Sequence, residues 1–241
     1  MIAAIIQART TSTRLPNKVL MELTPGKSML WHLVERLKPS KKIDQIILAI
    51  PDSKENDVLE DFAKENNIKY FRGSENDVLA RYYGAAKKYG ADIVIRITSD
   101  CPLIDPEIVD KVVIKHQDSG ADYTSNIQNR TYPKGMDIEV FNFAALEKAF
   151  NEAVESADRE HVTLYIRRNP NIFKQADVDN EKDISCFRWT VDEKVDLDFV
   201  KEIYKRLYKE GNVFSMNDIL EVLEREPKLI ETNKEIKRKP L

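Results

Sequence analysis

The chain is poor in glycine, and this shortage excludes the two commonest phosphate-binding loops. Only 7 of its 241 residues are glycine, and neither G-x-G-x-x-G nor G-x-x-x-x-G-K-[ST] occurs. Dinucleotide-binding folds carry the first motif after their first strand, and P-loop nucleoside triphosphatases carry the second. A nucleotide bound by this chain therefore has to be held by side chains rather than by a glycine-backed amide cradle.

Cysteine and histidine are equally scarce, which argues against a disulfide framework and a structural zinc site. Cys101 and Cys186 are the only cysteines, they form no Cys-x-x-Cys pair, and only 3 histidines accompany them. Disulfide-stabilised domains and zinc modules need closely spaced cysteines or histidines. The scarcity favours a protein of the reducing cytoplasm.

The chain also lacks an excess of positive charge and a long apolar run. Its 38 basic and 41 acidic residues give a net charge of -3, whereas nucleic-acid and membrane-surface binding favour a basic excess. No apolar run approaches the roughly 20 residues that a transmembrane helix needs, and the opening MIAAII carries no basic leader. We expect a soluble, cytoplasmic protein that binds neither nucleic acid nor a membrane.

Short apolar runs alternate with helical patterns through the first half of the chain. The apolar runs lie at 2–6, 45–50, 68–71 and 92–98, and the helical patterns lie at 28–37, 55–66 and 75–89. Strands that are apolar on both faces and alternate with helices are typical of a parallel sheet covered on two sides. The pattern predicts an α/β fold with a mostly parallel, doubly wound sheet.

The pattern changes near residue 121, where connections lengthen and polar residues become frequent. We interpret residues 121–186 as an inserted α+β segment that shapes an acceptor pocket or a dimer contact. The remaining predicted elements are strands at 137–141 and 187–191 and helices at 143–154, 158–169, 195–210 and 215–226. We predict a single domain over 1–226, followed by a basic, solvated tail over 227–241.

Cationic and hydroxyl side chains fill the segment directly after the first strand. This segment, QARTTSTRLPNK, holds Arg9, Ser12, Arg14 and Lys18. Open α/β sheets bind ligands outside the carboxyl ends of their strands, and cationic and hydroxyl groups bind phosphate without help from glycine. The segment predicts a polyphosphate site, and the alternative is an exposed, solvated cationic turn.

Two aspartates, Asp100 and Asp192, each follow a predicted strand. A carboxylate opposite a triphosphate is repulsive unless a cation stands between them, and Mg²⁺ takes one or two carboxylates and leaves its other positions to phosphate and water. The pair predicts a magnesium site. The alternative role is helix capping, which suits Asp105, directly before Pro106, and Asp196 better.

A third polar group follows the third predicted strand at the same sheet edge. Arg72, Gly73 and Ser74 leave that strand, and Asp77 and Arg81 open the next helix. Because ligands bind at this edge, these residues are candidates for facing a nucleotide.

Six motifs, in this order, resemble the cytidylyltransferases that make CMP-activated sugars. They are IIQARTTSTRLPNKVL, FRGSENDVLARYY, RITSDCPLIDPEIVDKV, GMDIEVF, REHVTLYIRRNP and WTVDEKVDLDFVKEIY. The chain resembles the CMP-Kdo and CMP-N-acylneuraminate synthetases, and more closely the branch named after spore-coat polysaccharide biosynthesis. It departs from the pattern at Ser99, where many relatives have glycine, and at Glu193 and Lys194, where the sugar-acid enzymes often have Thr-Pro.

The resemblance implies a Rossmann-like nucleotidyltransferase fold, a homodimer, and Mg²⁺-dependent transfer of a cytidylyl group from CTP with release of pyrophosphate. Asp100 and Asp192 match the magnesium carboxylates, and we assign catalytic roles to Arg9, Lys18 and Asp100. The candidate nucleotide-binding residues are Gln7, Ala8, Arg9, Ser12, Arg14, Lys18, Arg72, Gly73, Ser74, Asp77 and Arg81.

The acceptor is left open between a sugar acid and a small phosphorylated metabolite, on a route to a polysaccharide or glycoconjugate. A lone helical histidine such as His161 can also be purely structural. The candidate acceptor-binding residues are Arg96, Asp137, Glu139, Arg159, His161 and Arg188.

Two other functions stay open. A nucleotide-sugar-dependent glycosyltransferase of related fold would use Asp177 and Asp179 as an Asp-x-Asp metal motif and would form no pyrophosphate. A non-catalytic nucleotide-binding module would bind nucleotide tightly with little metal dependence. The basic segment after the first strand favours a triphosphate over a diphosphate sugar, so we rank the transferase first.

Overall fold

A computed structural model describes residues 1–234, which form a seven-stranded sheet with helices on both faces. The strands are β1 (Ile2–Gln7), β2 (Glu22–Thr24), β3 (Lys27–Ser28), β4 (Gln45–Pro51), β5 (Lys69–Gly73), β6 (Ile93–Thr98), β7 (Tyr123–Ser125), β8 (Glu139–Asn142) and β9 (Gln175–Asp177). The sheet order is β5-β4-β1-β6-β8-β7-β9, while β2 and β3 form a separate hairpin. Strands β5, β4, β1 and β6 run parallel, as predicted.

Nine helices of the α type lie within the described part of the chain. They are α1 (Met29–Leu37), α2 (Asp57–Glu65), α3 (Val78–Tyr89), α4 (Pro106–Ser119), α5 (Phe143–Glu152), α6 (Ser156–Glu160), α7 (Leu164–Arg168), α8 (Lys194–Leu207) and α9 (Met216–Arg225). Asp105 caps α4, and its carboxylate accepts from the Glu107 amide at 2.9 Å, which confirms its predicted capping role. Among residues 1–234, no helix combines the length and apolar character needed to cross a bilayer.

Strand β1 shows why the apolar runs have no polar face. Its Ala4 and Ile6 side chains join a core with residues of α1, α4 and α8, while Ala3 and Ile5 join a second core with residues of α3 and α5. Each fully buried isoleucine contributes about 1.5–3 kcal/mol. Burial on both faces confirms the predicted doubly wound α/β sheet.

The inserted segment extends the sheet beyond β6. Strand β8 is antiparallel to β6 and β7, and β9 is parallel to β7. The register sets Arg96 of β6 directly opposite Glu139 of β8. The insertion therefore brings one of its carboxylates against a cation of the parallel core.

The segment 187–191 is not a strand of the sheet, contrary to the sequence prediction. Its ladder pairing is limited to one isolated bridge, in which Trp189 donates its amide to the Lys134 carbonyl at 2.7 Å, and the Val191 amide donates to the Asp100 carbonyl at 2.8 Å. Gly135 follows at φ 109°, and a Cβ there would lie 2.6 Å from the Trp189 carbonyl carbon. This close contact between the two backbones fixes the extended segment, which has no neighbouring strand among the described residues.

The segment 158–169 is not one helix, which corrects a second prediction. It breaks into α6 and α7 because Val162, which is fully buried, takes a left-handed φ of 54°. A β-branched residue rarely adopts this conformation. The Thr163 hydroxyl donates to the buried Glu139 carboxylate directly after the break, and this bond fixes it.

The first residues of the predicted tail are packed rather than solvated. A 3-10 helix spans Pro227–Thr232, and its Leu229 and Ile230 side chains pack against the core. Asn233 is buried and donates to the Asp196 carboxylate at 3.0 Å. The domain limits of 1–226 stay a prediction, and residues 235–241 of the predicted tail lie outside the described residues.

Candidate active site

A cleft of about 560 Å³ opens at the carboxyl ends of β1 and β6, where ligands of α/β sheets bind. It unites most of the predicted site, from the first loop to the segment before α8. The predicted residues that line it are Gln7, Ala8, Arg9, Ser12, Arg14, Lys18, Arg81, Arg96, Asp100, His161 and Asp192.

Lys18 lies between the two predicted metal carboxylates. Its Nζ is 3.6 Å from Asp100 Oδ2 and 3.4 Å from Asp192 Oδ1, and it donates to the Val191 carbonyl at 2.6 Å. A 3-10 turn that begins at Lys18 aims the side chain, and Asn17 before it adopts a left-handed φ of 57°. The turn therefore delivers the ammonium group to the rim of the cleft.

Backbone hydrogen bonds bring Asp100 and Asp192 together. The Asp100 carbonyl accepts from the Val191 amide at 2.8 Å and from the Thr190 hydroxyl at 3.2 Å. Asp192 is the next residue, so its carboxylate lies near the end of β6. Gly135 supports this contact from behind, because only a residue without Cβ fits against Thr190.

Asp192 is surrounded by cations and almost buried. Besides Lys18, it contacts Arg14 at 2.8 Å, Arg188 at 3.0 Å and Lys134 at 3.9 Å. Burial alone raises the pKa of this carboxyl, but these cations more than offset burial and hold the pKa below its ordinary value. Asp192 is therefore ionised at neutral pH.

The first loop keeps two guanidinium groups accessible. Thr10 anchors the loop, because its amide and hydroxyl both donate to the Asn56 side-chain oxygen, at 2.9 and 3.2 Å. The Arg9 side chain is 48% exposed with Glu75 at 3.7 Å, and the Arg14 side chain is 38% exposed. A loop anchored at Thr10, with accessible cations on either side of the anchor, is suited to binding an anion.

The opposite end of the cleft rests on a buried ion pair. Arg96 lines the cleft and pairs with Glu139, which also accepts from the Tyr123 hydroxyl at 2.7 Å and from the Thr163 hydroxyl. Burial raises the pKa of Glu139, but Arg96 and the two hydroxyls together lower it below its ordinary value. The structure places Glu139 beneath the cleft, where it holds Arg96 and the residues beside His161.

Several predicted nucleotide-binding residues do not line the cleft. Arg72 is paired with Asp57 at 2.7 Å and Glu60 at 2.6 Å. Gly73 and Ser74 act indirectly, since the Ser74 carbonyl accepts from the Arg81 guanidinium at 3.2 Å and Gly73 packs beside the same side chain.

Asp77 and Arg159 form a bridge between helices rather than a ligand site. The Asp77 carboxylate caps α3 by accepting from the Ala80 amide at 2.9 Å, and it also accepts from Arg159 Nε at 3.0 Å. Arg159 belongs to α6, so this pair fixes α6 against the start of α3. The bridge therefore positions α6 and the following His161, which line one side of the cleft.

The two remaining acceptor candidates are also engaged by neighbours. Asp137 accepts two bonds from the Arg130 guanidinium, at 2.7 and 2.9 Å. Arg188 donates to Asp196 at 2.8 and 2.9 Å, and to Asp192 at 3.0 Å. Arg188 therefore contacts a predicted metal ligand without lining the cleft.

Sequence reasoning missed part of the lining. Thr98 and Ser99 could have been found, because they precede Asp100 at the same strand end. Ser156 and Glu160 could not, because the fold of the insertion decides which face of α6 meets the cleft. The unpredicted lining residues are Thr13, Glu75, Asn76, Val78, Thr98, Ser99, Ser156 and Glu160.

The Asp-x-Asp motif of the glycosyltransferase alternative lies away from this cleft. Asp177 ends β9, the strand at the far edge of the sheet. Its carboxylate accepts from the Asn129 amide at 2.6 Å, and Asp179 accepts from the Asn129 side chain at 3.0 Å. These bonds organise a loop, so the structure does not favour that alternative.

The donor set at the rim fits a magnesium ion. Asp100 and Asp192 both approach one cationic group, the Lys18 ammonium, at 3.6 and 3.4 Å. Within residues 1–234, no cluster of three or more His, Cys, Asp or Glu side chains could hold a metal. Mg²⁺ needs no such cluster, because one or two carboxylates suffice when phosphates and water complete its coordination.

A mostly parallel sheet, covered by helices on both faces and with a cleft at the carboxyl ends of its strands, places the chain among the doubly wound α/β proteins. A family model described as cytidylyltransferase matches residues 3–235, so the chain belongs to the cytidylyltransferase family. Its members are nucleotidyltransferases, and the predicted family and enzyme class are confirmed.

Relatives of full length support this assignment. The chain is 38% identical over 242 residues to an uncharacterized protein of Methanocaldococcus jannaschii, covering 99% of this chain and 96% of the relative. It is 34% identical over 233 residues to the spore coat polysaccharide biosynthesis protein SpsF of Bacillus subtilis, covering 94% and 95%. The solved structure of a cytidylyltransferase from Leptospira borgpetersenii matches with a TM-score of 0.91 at 35% identity, covering 98% and 99%.

Proposed function

We propose that this protein transfers a cytidylyl group from CTP to a small anionic acceptor and releases pyrophosphate. The observation that carries the proposal is the position of Lys18 between Asp100 and Asp192, at the rim of a cleft that is also lined by four arginines. The family supports CTP as the nucleotide. The acceptor is a sugar acid or a small phosphorylated metabolite.

The triphosphate binds at the first loop. Arg9 and Arg14 supply accessible guanidinium groups, and Ser12 supplies a hydroxyl. The acceptor oxygen attacks the α-phosphorus in line with the leaving pyrophosphate, so the P–O bond to the acceptor forms as the bond to pyrophosphate breaks. Lys18 and Arg9 stabilise the charge that develops on the leaving group, and the rate comes from positioning and charge neutralisation.

Asp100 and Asp192 would hold Mg²⁺ at this rim. When bound, the ion neutralises charge on the α-phosphate and lowers the pKa of an acceptor hydroxyl. Asp192 is ionised at neutral pH, as a metal ligand has to be, because the cations around it lower its pKa. A sugar acid needs its hydroxyl deprotonated, whereas a phosphorylated acceptor attacks without a base.

The acceptor occupies the end of the cleft between Arg96 and α6. Arg96 offers a guanidinium group held by Glu139, and Ser156, Glu160 and His161 offer polar groups on the facing wall. This mixture of donors and acceptors suits a molecule with one anionic group and several hydroxyls. Glu139, Asp137, Arg159 and Arg188 support the site from behind rather than by contact.

We also propose a cellular role for the reaction. The similarity to the Bacillus subtilis spore coat polysaccharide protein supports a role in polysaccharide or glycoconjugate biosynthesis. The resemblance to the CMP-sugar synthetases supports a cytoplasmic homodimer. Light scattering coupled to size exclusion tests the dimer, with a monomer mass of 27.9 kDa as the contradicting result.

A screen for pyrophosphate release tests the reaction. The four nucleoside triphosphates are offered with Mg²⁺ against a panel of sugar acids and small phosphorylated metabolites. We expect release only with CTP and a subset of acceptors. Consumption of a nucleotide sugar without pyrophosphate would instead support the glycosyltransferase, and tight nucleotide binding without turnover would support the non-catalytic module.

The variant Asp100→Asn tests the proposed role of Asp100 in holding Mg²⁺. We expect pyrophosphate release to fall by about 10²–10³-fold, because the loss removes preorganised electrostatic stabilisation of the transition state. CTP affinity, measured by calorimetry without Mg²⁺, should change far less. Asp177→Asn is the control with near-normal activity, and an active Asp100→Asn protein would contradict the proposal.

A further inference from the structure

The Lys18 ammonium occupies the space between the two carboxylates that would hold the metal. Its Nζ contacts Asp100 at 3.6 Å and Asp192 at 3.4 Å. We propose that Lys18 closes the metal site of the nucleotide-free protein, so that a divalent cation enters only together with a nucleoside triphosphate. This inference rests on the proposed function, because it takes Asp100 and Asp192 as the metal ligands.

The balance of charge around the two carboxylates opposes a metal ion alone. Asp192 is within 4 Å of Lys18, Arg14, Arg188 and Lys134. These four cations outnumber the two carboxylates, and they still do when Asp196, which shares Arg188, is included. A divalent cation approaching this cluster without a counter-anion meets net repulsion.

Lys18 is also held in this position by a neutral bond. It donates to the Val191 carbonyl at 2.6 Å, and its side chain is 12% exposed. A metal ion must therefore displace a hydrogen-bonded ammonium group from both carboxylates. A lysine that moved freely in solvent would offer no such competition.

A triphosphate reverses this balance. It brings several negative charges to the loop that carries Arg9 and Arg14, which are 48% and 38% exposed and able to turn toward it. Lys18 has a flexible four-carbon stem and can follow the phosphates, which leaves the carboxylates to a cation. The nucleotide and the metal then bind with positive cooperativity, because each removes the repulsion that the other meets.

Mn²⁺ binding measured by electron paramagnetic resonance tests this directly, because only the free ion gives the sharp signal. Without nucleotide, we expect Lys18→Met to bind Mn²⁺ at least about tenfold more tightly than the wild-type protein, the effect of losing one cation beside a carboxylate. Arg14→Met should give a smaller gain. Lys194→Met, at an exposed pair with Asp198, is the matched control and should behave as wild type.

Adding CTP completes the experiment. With CTP, and after correction for Mn²⁺ bound by CTP in solution, wild type should retain Mn²⁺ on the protein. The double variant Lys18→Met with Asp100→Asn should lose the Mn²⁺ that Lys18→Met gains, and circular dichroism shows that each variant is folded.

Two results would overturn the inference, and they are distinguishable. Equal Mn²⁺ affinity of wild type and Lys18→Met without nucleotide removes the gating role of Lys18, but it leaves the metal site of the proposed function intact if CTP still recruits Mn²⁺. Failure of both Lys18→Met and the wild-type protein with CTP to bind Mn²⁺ removes the metal assignment as well.

Discussion

At the scale of single residues, Arg14 has an exposed guanidinium group that the fold does not strongly depend on. Its guanidinium contacts Asp192 at 2.8 Å, yet the side chain is 38% exposed. Only the arginine end of this pair is exposed, but Asp192 keeps Lys18, Arg188 and Lys134 as partners when Arg14 is removed. Arg14 is therefore available to bind phosphate at little cost to the fold.

The variant Arg14→Ala should show this separation. We expect the free energy of unfolding to fall by less than about 1 kcal/mol, while CTP affinity measured by calorimetry falls by roughly 10- to 100-fold, as for a lost charged hydrogen bond. Arg225→Ala, at an exposed pair with Glu221, is the control and should leave both unchanged. Unaltered CTP binding by Arg14→Ala would show that the triphosphate does not contact this loop.

Gly135 is a position where the backbone packs so closely against Trp189 and Thr190 that only glycine fits. A Cβ at this position would lie 2.6 Å from backbone atoms of Trp189 and Thr190, whereas at Gly211 nothing lies within 4 Å. Both residues have positive φ, at 109° and 76°. An alanine at either position would therefore be strained by the positive φ, and only at Gly135 would it also clash.

Gly135→Ala should be much more destabilising than Gly211→Ala. The left-handed conformation alone costs about 1–2 kcal/mol per non-glycine residue, and this is the whole expected effect at Gly211. At Gly135 the clash adds to it and displaces Thr190, which holds Asp192 near Asp100. Urea denaturation measures both variants, and equal losses would mean that the Gly135 contact is not needed.

At the scale of elements, the Arg96–Glu139 pair joins the parallel core to the insertion. Arg96 lies on β6 and Glu139 on β8, and Glu139 is 2% exposed. Removing one member of a buried ion pair leaves the other charge without compensation, which costs about 3–5 kcal/mol. We expect Glu139→Gln to lose about this much free energy of unfolding in urea.

The matched control for this pair is Glu221→Gln, which removes one partner of an exposed pair on α9. It should change stability by at most about 0.5 kcal/mol. If Glu139→Gln were as mild, the pair would not hold the insertion. Proteolysis of the folded variant should also cut first between α6 and α7, because Thr163 loses the ionised carboxylate that accepts a hydrogen bond from its hydroxyl.

The elements of the parallel core are predictable from the sequence, and the shortest strands of the insertion are not. Strands β1, β4, β5 and β6 and their helices follow from apolar runs and helical periods, because a parallel sheet needs strands that are apolar on both faces. Strands β7 and β9 have three residues each, too few for a period to register. The segment 187–191 has the composition of a strand, but its partner is one loop residue, and composition cannot reveal the partner.

At the scale of the whole molecule, the site is built from segments that are distant in the chain. Arg9, Lys18 and Asp100 were predictable because each follows a strand that ends at the ligand edge. The contribution of Lys134 was not, because it reaches Asp192 only through the bridge between residues 134 and 188. Local patterns predict which edge of the sheet carries the candidate site, and tertiary contacts decide which side chains complete it.

Stability should fall as the pH drops below 7, in part through His32. Burial lowers the pKa of this imidazole from 6.5 to about 4, and its Nε2 lies 2.8 Å from the Thr24 hydroxyl. The unfolded chain binds a proton at His32 more readily than the folded protein does. The contribution of neutral His32 to the free energy of unfolding is therefore fully present above pH 6.5 and is lost as the pH falls toward 4. At 1.36 kcal/mol per pKa unit, the loss amounts to at most about 3 kcal/mol.

Denaturation of wild type and His32→Gln at pH 7 and pH 5 checks this assignment. Wild type should lose more free energy of unfolding between the two pH values than the variant does. Burial lowers the pKa of His116 as well, so the variant retains part of the dependence. An identical pH dependence in the two proteins would contradict the role of His32.

In the proposed function, Asp100, Asp192 and Lys18 together form one site for a metal–nucleotide complex. A crystal grown with CTP and Mn²⁺, with data collected at the manganese absorption edge, tests it most directly. We expect an anomalous peak in contact with both aspartates, and the triphosphate against the Arg9 to Lys18 loop. A peak at other residues, or a triphosphate outside this cleft, would contradict it.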